Sequence, residues 1–403
     1  MNEQGQVVII DLSDANNVLR RPISADSAIM HAKQKILALR GTSFCSCLGI
    51  LMVLTLPVAA RTLQIFNIES KQKVKSHINN EDVVFWKWVS DTTIGLVTET
   101  AVYHWTIADQ TSAPQKIFDR HPTLAGTQII NYRVTPDEKW LVLIGISSNA
   151  TNPSAFKIKG SMQLYSRERG VSQPIEGHAA AFAEIKLDGH QKPTKLFTFA
   201  VRTATGAKVC YLSFPSQCPQ PNIFQLHIVE IDHQAPDPPF TKKNVDVYFP
   251  PEATNDFPVA MQVSKKHGIV YLVTKYGFIH LYDLESGACV YMNRISGETI
   301  FVTAEHEATN GIIGVNKKGQ VLSVNVDEQT IIPYILTTLN NTDLAFKLAS
   351  RANLPGADDL YVKQYQQLFQ AGQFGEAAKV AANSPRVRLL AGNFFSFFSQ
   401  ILI

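Results

Sequence analysis

Thiols and imidazoles are the groups in this 403-residue chain best suited to chemistry, and it carries five cysteines and eleven histidines. Cys45, Cys47, Cys210 and Cys218 fall in two short segments, and Cys289 stands apart. Thiolates hold zinc when paired C-x-x-C units, or cysteines with histidine partners, recur at set spacing. Neither Cys45-Ser-Cys47 nor the Cys210 and Cys218 pair has that spacing or those partners. No metal and no cofactor is expected. Five thiols are also too few for a disulfide framework. His104 and His280 fall in expected strands. A hydrogen-bonded inner-strand residue is the preferred reading there, because a catalytic triad is defined by geometry and not by position. The chain has no G-x-x-x-x-G-K-[ST] loop, no G-x-G-x-x-G, no H-E-x-x-H and no G-x-S-x-G. No catalytic residue is assigned, and the chain reads as a non-enzyme.

Composition narrows the class further. With 37 Lys and Arg against 34 Asp and Glu, the formal charge is +3. A nucleic-acid binder usually shows a strong basic excess, so none is expected as a partner. A 45% hydrophobic, 18% charged chain has apolar mass for a real core. Residues 1–12 lack the basic and apolar regions of a signal peptide. Without one, the sequons at Asn149 and Asn340 read as ordinary loop residues. Between Arg40 and Arg61 lie twenty uncharged residues, long enough to span a bilayer. Ser43, Ser46, Thr55 and Pro57 dilute the run. A signal anchor and a non-membrane insertion both fit it.

The elements that would position any site are mostly strands. Up to about residue 330, short runs rich in Val, Ile, Phe and Tyr alternate with turn residues. Examples are Val83–Val89, Lys139–Ile146, Lys195–Val201 and Ile269–Thr274. One period-2 run recurs, at Gln6–Leu12, Thr62–Ile68, Ala101–Ile107, Ser161–Ser166, Leu226–Ile231, Phe278–Leu284 and Gln320–Val326. Repeats near 40–50 residues with several strands each indicate a β-propeller, with these runs as the final strand of each blade. From Ile331 the period becomes helical, with Leu344, Phe346, Leu348, Leu360, Tyr361, Tyr365, Leu368 and Phe369 on the apolar stripe. Asp343 is placed to cap a helix start, Pro355-Gly356 to separate two helices, and Ala371-Gly372 to stop the next. The fold class is therefore mainly β: a seven-bladed β-propeller with an incomplete first blade, then an α-solenoid-type helical linker. The domains are residues 1–330 and 331–386.

Several stretches carry a family resemblance. They are Arg20–Met30 (RRPISADSAIM), Thr62–Glu69 (TLQIFNIE), Phe85–Trp88 (FWKW), Ala101–Trp105 (AVYHW), Val171–Ala180 (VSQPIEGHAA), Val245–Gln262 (VDVYFPPEATNDFPVAMQ), Thr274–Gly287 (TKYGFIHLYDLESG), Tyr291–Ala304 (YMNRISGETIFVTA) and Glu376–Asn383 (EAAKVAAN). Over residues 1–40, 61–208 and 226–386 the chain resembles clathrin heavy chains, in their N-terminal propeller and first linker helices. The resemblance implies a structural protein of vesicle coats in endocytosis and intracellular transport, cytoplasmic, on the cytosolic face of coated pits and vesicles. It implies a propeller that captures short linear motifs of adaptor and accessory proteins, with membrane association through those adaptors. It further implies trimerisation and light-chain binding through regions outside this sequence.

The resemblance also implies three sites. A groove between the first two blades would take an extended peptide with spaced bulky apolar residues and a terminal acid. Its positions here are Leu19, Arg21, Ile23, Leu37, Thr62, Gln64, Phe66, Lys71 and Lys73. The apolar members would form pockets for alternate side chains of a strand-like ligand. Gln64 would offer donor and acceptor to its backbone, and Arg21, Lys71 and Lys73 would draw its acid. By residue type alone, Leu37 and Phe66 serve equally well as blade core and the lysines as solvated turn residues. A second groove, between blades four and five, is implied by Trp140, Arg169, Val171, Gln173 and Lys242, with Gly170 where a basic residue is usual in the family. A top site would use Gln128 and Ile130.

Three segments depart from the family: 41–60, 209–225 and 387–403. The boundary residues of the last two (Val209, Val387; Phe224-Gln225, Phe397-Phe398-Ser399-Gln400) fit translated introns, segment 41–60 matches that pattern less well, and a membrane-anchored variant is the rival. Met1 falls inside the first blade of the family pattern, so that blade's upstream strands and the strand closing the ring are expected to be missing. The first insert adjoins the groove and predicts weak or absent motif binding. A fragment without normal assembly or binding is the alternative function. Four of the five cysteines sit in the departing segments, and the family-like remainder keeps the thiol economy of a reducing compartment.

Overall fold

The computed structural model describes residues 6–10, 18–41, 61–109, 111–148, 158–187, 190–203, 223–253, 255–355 and 357–383. They divide into two compact units, one up to Glu176 and one from Gly177 onward.

In the first unit, β1 (Gln6–Ile10) pairs with β2 (Val18–Ser24) as a two-stranded sheet. Three four-stranded antiparallel meanders follow: β3 (Ser27–Met30), β4 (Ile36–Arg40), β5 (Thr62–Asn67) and β6 (Gln72–Ile78); β7 (Phe85–Trp88), β8 (Thr93–Val97), β9 (Ala101–Thr106) and β10 (Gln115–Asp119); β11 (Gln128–Val134), β12 (Trp140–Ser148), β13 (Ile158–Ser166) and β14 (Val171–Glu176). In the second unit come β15 (Ala179–Ile185), β16 (Thr194–Thr203), β17 (Ile223–Glu230) and β18 (Lys243–Val247), then β19 (Pro258–Ser264), β20 (Ile269–Thr274), β21 (Phe278–Asp283) and β22 (Cys289–Arg294). A three-stranded sheet of β23 (Ile300–His306), β24 (Gly311–Asn316) and β25 (Val321–Val324) ends the strands. Four helices follow: α1 (Ile331–Thr337), α2 (Thr342–Ala352), α3 (Ala357–Gln370) and α4 (Phe374–Asn383). The fold is a mainly-β propeller with six blades of three or four strands among the described residues, followed by a few helices.

Two expectations need correction. The recurring period-2 run is the final strand only at Gln320–Val326, which holds β25; elsewhere it is not. It is the third of four in β5, β9, β13, β17 and β21, each followed by an outer strand. The third strand is flanked on both sides and is buried at every second residue in β5 and throughout in β21, so its apolar run is strong. The outer strand is an edge, as in β14, where Val171, Gln173, Pro174 and Glu176 are exposed. Edge strands are kept polar or interrupted by proline, which hides them from a search for apolar runs. Second, Asp343 is not the cap of α2. Asn341 is, its side chain accepting from the Leu344 N–H, and Asp343 sits in the first turn.

Cores form where sheets face each other. Ala38, Leu63 and Ile65 meet Val83, Trp86, Ile94, Leu96 and Trp105 between the second and third sheets. Fully burying a Leu or Ile contributes roughly 1.5–3 kcal/mol. In the second unit one core takes in β20, β21 and β24 together with Ile332, Ile335, Leu344, Leu348 and Tyr361 of the helices. The helical period starts where expected, at Ile331, but the helices share the core of the neighbouring sheets.

Strand β17 begins at Ile223, with Phe224 paired to Arg202 and fully buried. The last three residues of segment 209–225 thus continue the blade. Its earlier residues, nearly all of 41–60, and 387–403 lie outside the described residues. No described helix is long and apolar enough to cross a membrane. Of the cysteines only Cys289 is described, as a free, exposed thiol.

Candidate peptide-binding face

Strand alternation builds the first candidate site. On β5, Leu63 and Ile65 point into the core while Thr62, Gln64 and Phe66 are half-buried on the other face. A strand's period of two puts i, i+2 and i+4 together. Register then brings β4 alongside: Leu37 lies opposite Phe66 and Leu39 opposite Gln64. Leu37 and Leu39 are 4% and 2% exposed and pack with Ile9, Ala25, Ala28, Phe66 and Ile68. The face is therefore the seam between the β1–β2 sheet and the β3–β6 sheet.

Leu37 is a wall of that seam, screened from solvent, whereas Phe66, Gln64 and Thr62 keep surface to offer. Leu19, Arg21 and Ile23 lie on β2, where Leu19 pairs with Ile9 and Arg21 with Val7. Their side chains are outside the described set. The β4–β5 pairing runs regularly from Ile36 opposite Asn67 to Arg40 opposite Leu63, and Gly41 N–H still donates to Thr62 O at 3.1 Å.

The rim is cationic. Lys71 and Lys73 are exposed, Lys71 at the β5–β6 turn with φ of 56°. The pairing shifts by one residue between Ile65 and Phe66, which sets Lys73 opposite Phe66. Lys75 leaves the rim. It is buried, donates to Thr106 O at 2.8 Å and Ser112 Oγ at 2.9 Å, and sits over the Trp105 ring. Its burial lowers its pKa. Lys35 reaches the same edge through Glu69 at 3.3 Å, and its carbonyl accepts from the Ile68 N–H. Leu39, Ile68 and Lys35 were missed in the sequence. Leu39 and Ile68 extend the period-2 rows of Leu37 and Phe66, a signal that was available. Lys35 joins only through the tertiary contact of two turns.

The second set divides. Trp140, Ser166 and Val171 form one cross-strand row over β12, β13 and β14, and Gln173 follows opposite Leu164. Val171 is 59% exposed. Arg169 is exposed in the β13–β14 turn, where Gly170 takes φ of 64° with open space around it. A left-handed turn position favours glycine. Lys242 belongs to the second unit, exposed just before β18. In the third set, Gln128 is exposed at the start of β11, and Ile130 is the extra residue of a bulge between the Ile129 and Asn131 pairs.

The histidines separate too. His104 Nε2 lies 2.8 Å from the Tyr132 hydroxyl, in line with expectation. His280 does not follow it. It is 1% exposed, stacks parallel to Tyr282, and neither ring nitrogen has a hydrogen-bond partner among the described residues. Burial pushes both imidazoles down to about 4.

Sequence comparison gives the family setting. The clathrin propeller repeat matches residues 124–168, 250–285 and 293–327, the clathrin heavy-chain linker matches 328–351, and the Clathrin-H-link matches 353–393. The chain is 55% identical over 404 residues to a clathrin heavy chain of Drosophila melanogaster, covering all of this chain and 22% of that protein. It is 53% identical over 387 residues to clathrin heavy chain 2 of Homo sapiens, covering 96% and 21%. A probable clathrin heavy chain 1 of Caenorhabditis elegans is 54% identical, with the same coverage. The chain spans about a fifth of the length of these relatives.

Proposed function

We propose that this chain, which belongs to the clathrin heavy chain family, is the motif-capturing part of a structural, non-enzymatic vesicle coat protein. In this reading a seven-bladed propeller presents the β4–β5 seam to adaptor proteins, and the helices begin a solenoid. The observation that carries it is the half-buried row Thr62, Gln64 and Phe66, walled by Leu37 and Leu39 and rimmed by Lys71 and Lys73. An extended peptide alternates its side chains, so every second apolar residue can enter such a seam while its backbone bonds to Gln64. The terminal acid of the peptide then meets the lysines. The regular β4–β5 register supports a formed surface despite the insertion between these strands. The Trp140, Val171 and Gln173 row is a second candidate surface of the same kind.

Titrating the purified chain with a fluorescent peptide of spaced leucines and a terminal aspartate tests this. Gln64→Ala with Lys71→Glu is expected to weaken binding by about tenfold or more, equivalent to about 1.4 kcal/mol. Lys73→Glu alone is expected to slow association and flatten its salt dependence. Equal affinity of wild type and double variant would show that the peptide does not bind at the seam.

A further inference from the structure

The turn between β19 and β20 is held from two sides by the helical segment. His267 is fully buried there, with Nδ1 3.0 Å from Ser264 Oγ and Nε2 3.0 Å from Glu328 Oε1. Glu328 stands just before α1 and also pairs with Lys266. The main-chain carbonyl of the same His267 accepts from Arg351 Nε at 3.1 Å and Nη2 at 2.9 Å. Arg351 lies in the last turn of α2. Its guanidinium also pairs with Asp283, at the end of β21, and with Glu285 at 3.2 Å. Lys347, one turn earlier, reaches Glu285 at 2.7 Å.

The Asp283 side chain is 0% exposed and that of Arg351 8%. The second Asp283 oxygen accepts from Ser286 N–H and Oγ at 2.8 and 2.7 Å. A buried pair satisfied this fully is costly to break from one side, because the remaining charge is stranded. Room for Arg351 comes from Gly268, at φ of 61°, where a Cβ would lie 2.6 Å from Arg351 Nε.

We propose that the Lys265–Gly268 turn is a socket that bolts α1 and α2 to the sheet of β19–β22, with Arg351 as its positioning residue. Both ends of the α1–α2 hairpin converge on His267. The hairpin is therefore tied to that sheet at both of its ends, and Leu360 and Tyr361 of α3 continue the same core. This does not depend on peptide capture.

Amide hydrogen exchange on the full chain tests the socket. Wild-type α1 and α2 are expected to exchange no faster than β20 and β21. Arg351→Met is expected to raise α2 exchange on the order of 100-fold with β20 and β21 unchanged, and Arg351→Lys to fall between, since a point charge cannot fork to three acceptors. Gly268→Ala should reproduce the Arg351→Met pattern. Unchanged α2 exchange, or an equal rise in the sheet, overturns the proposal. If Arg351→Met does not fold, Glu328→Gln keeps the arginine and should raise exchange at α1 alone; no rise there is equally fatal.

Discussion

The two buried imidazoles make a residue-scale prediction. His104 and His280 titrate near 4 in the folded chain against the usual 6.5. The unfolded chain therefore binds more protons between those values. Stability from these groups is fully present above about 6.5 and is lost as pH falls toward 4. Each shift corresponds to as much as about 3 kcal/mol at the acid end. Among the described residues His280 also leaves both nitrogens unbonded, whereas His104 keeps Tyr132. His280→Phe is expected to be neutral to stabilising at pH 7 and to lower the midpoint pH of acid unfolding, measured by circular dichroism. A variant as acid-labile as wild type would contradict this. The sequence placed both histidines in inner strands but could not tell them apart, because the difference lies in which side chain the fold brings to each ring.

At the scale of the element, strand β5 divides its labour between faces. Ile65→Ala should cost roughly 2–5 kcal/mol of stability, as a large-to-small change in a packed core does. Phe66→Ala, on the half-buried face, should cost less stability but weaken peptide binding. Urea melts and the peptide titration together check this crossing of effects. The helix cap offers a smaller test: Asn341→Ala should lose about 1 kcal/mol, while Asp343→Ala should lose less. Much of this level was legible in the sequence. The period of two over Thr62–Ile68 separated the Leu63 and Ile65 face from the Gln64 and Phe66 face. Outer strands such as β14 escaped, since an edge needs no apolar rhythm. The wall residue Leu39 was legible as the i+2 neighbour of Leu37, whereas its place opposite Gln64 needed the register.

For the whole molecule, the change of period at Ile331 marks a change of element but not a break in the core. Helices α1 and α2 are packed into the β20–β21 core and pinned at His267. No sequence pattern signals that pinning, because Gly268, Asp283, Glu328 and Arg351 meet only in the fold. In the other unit, the β4–β5 seam is the proposed peptide-capturing surface. Hydrogen exchange of the full chain with and without saturating apolar-acidic peptide tests it most directly. Added protection is expected at the Lys71–Lys73 turn and along β5, absent in the Gln64→Ala, Lys71→Glu variant. Protection appearing at β12–β14 instead, or nowhere while the peptide is bound, would contradict it.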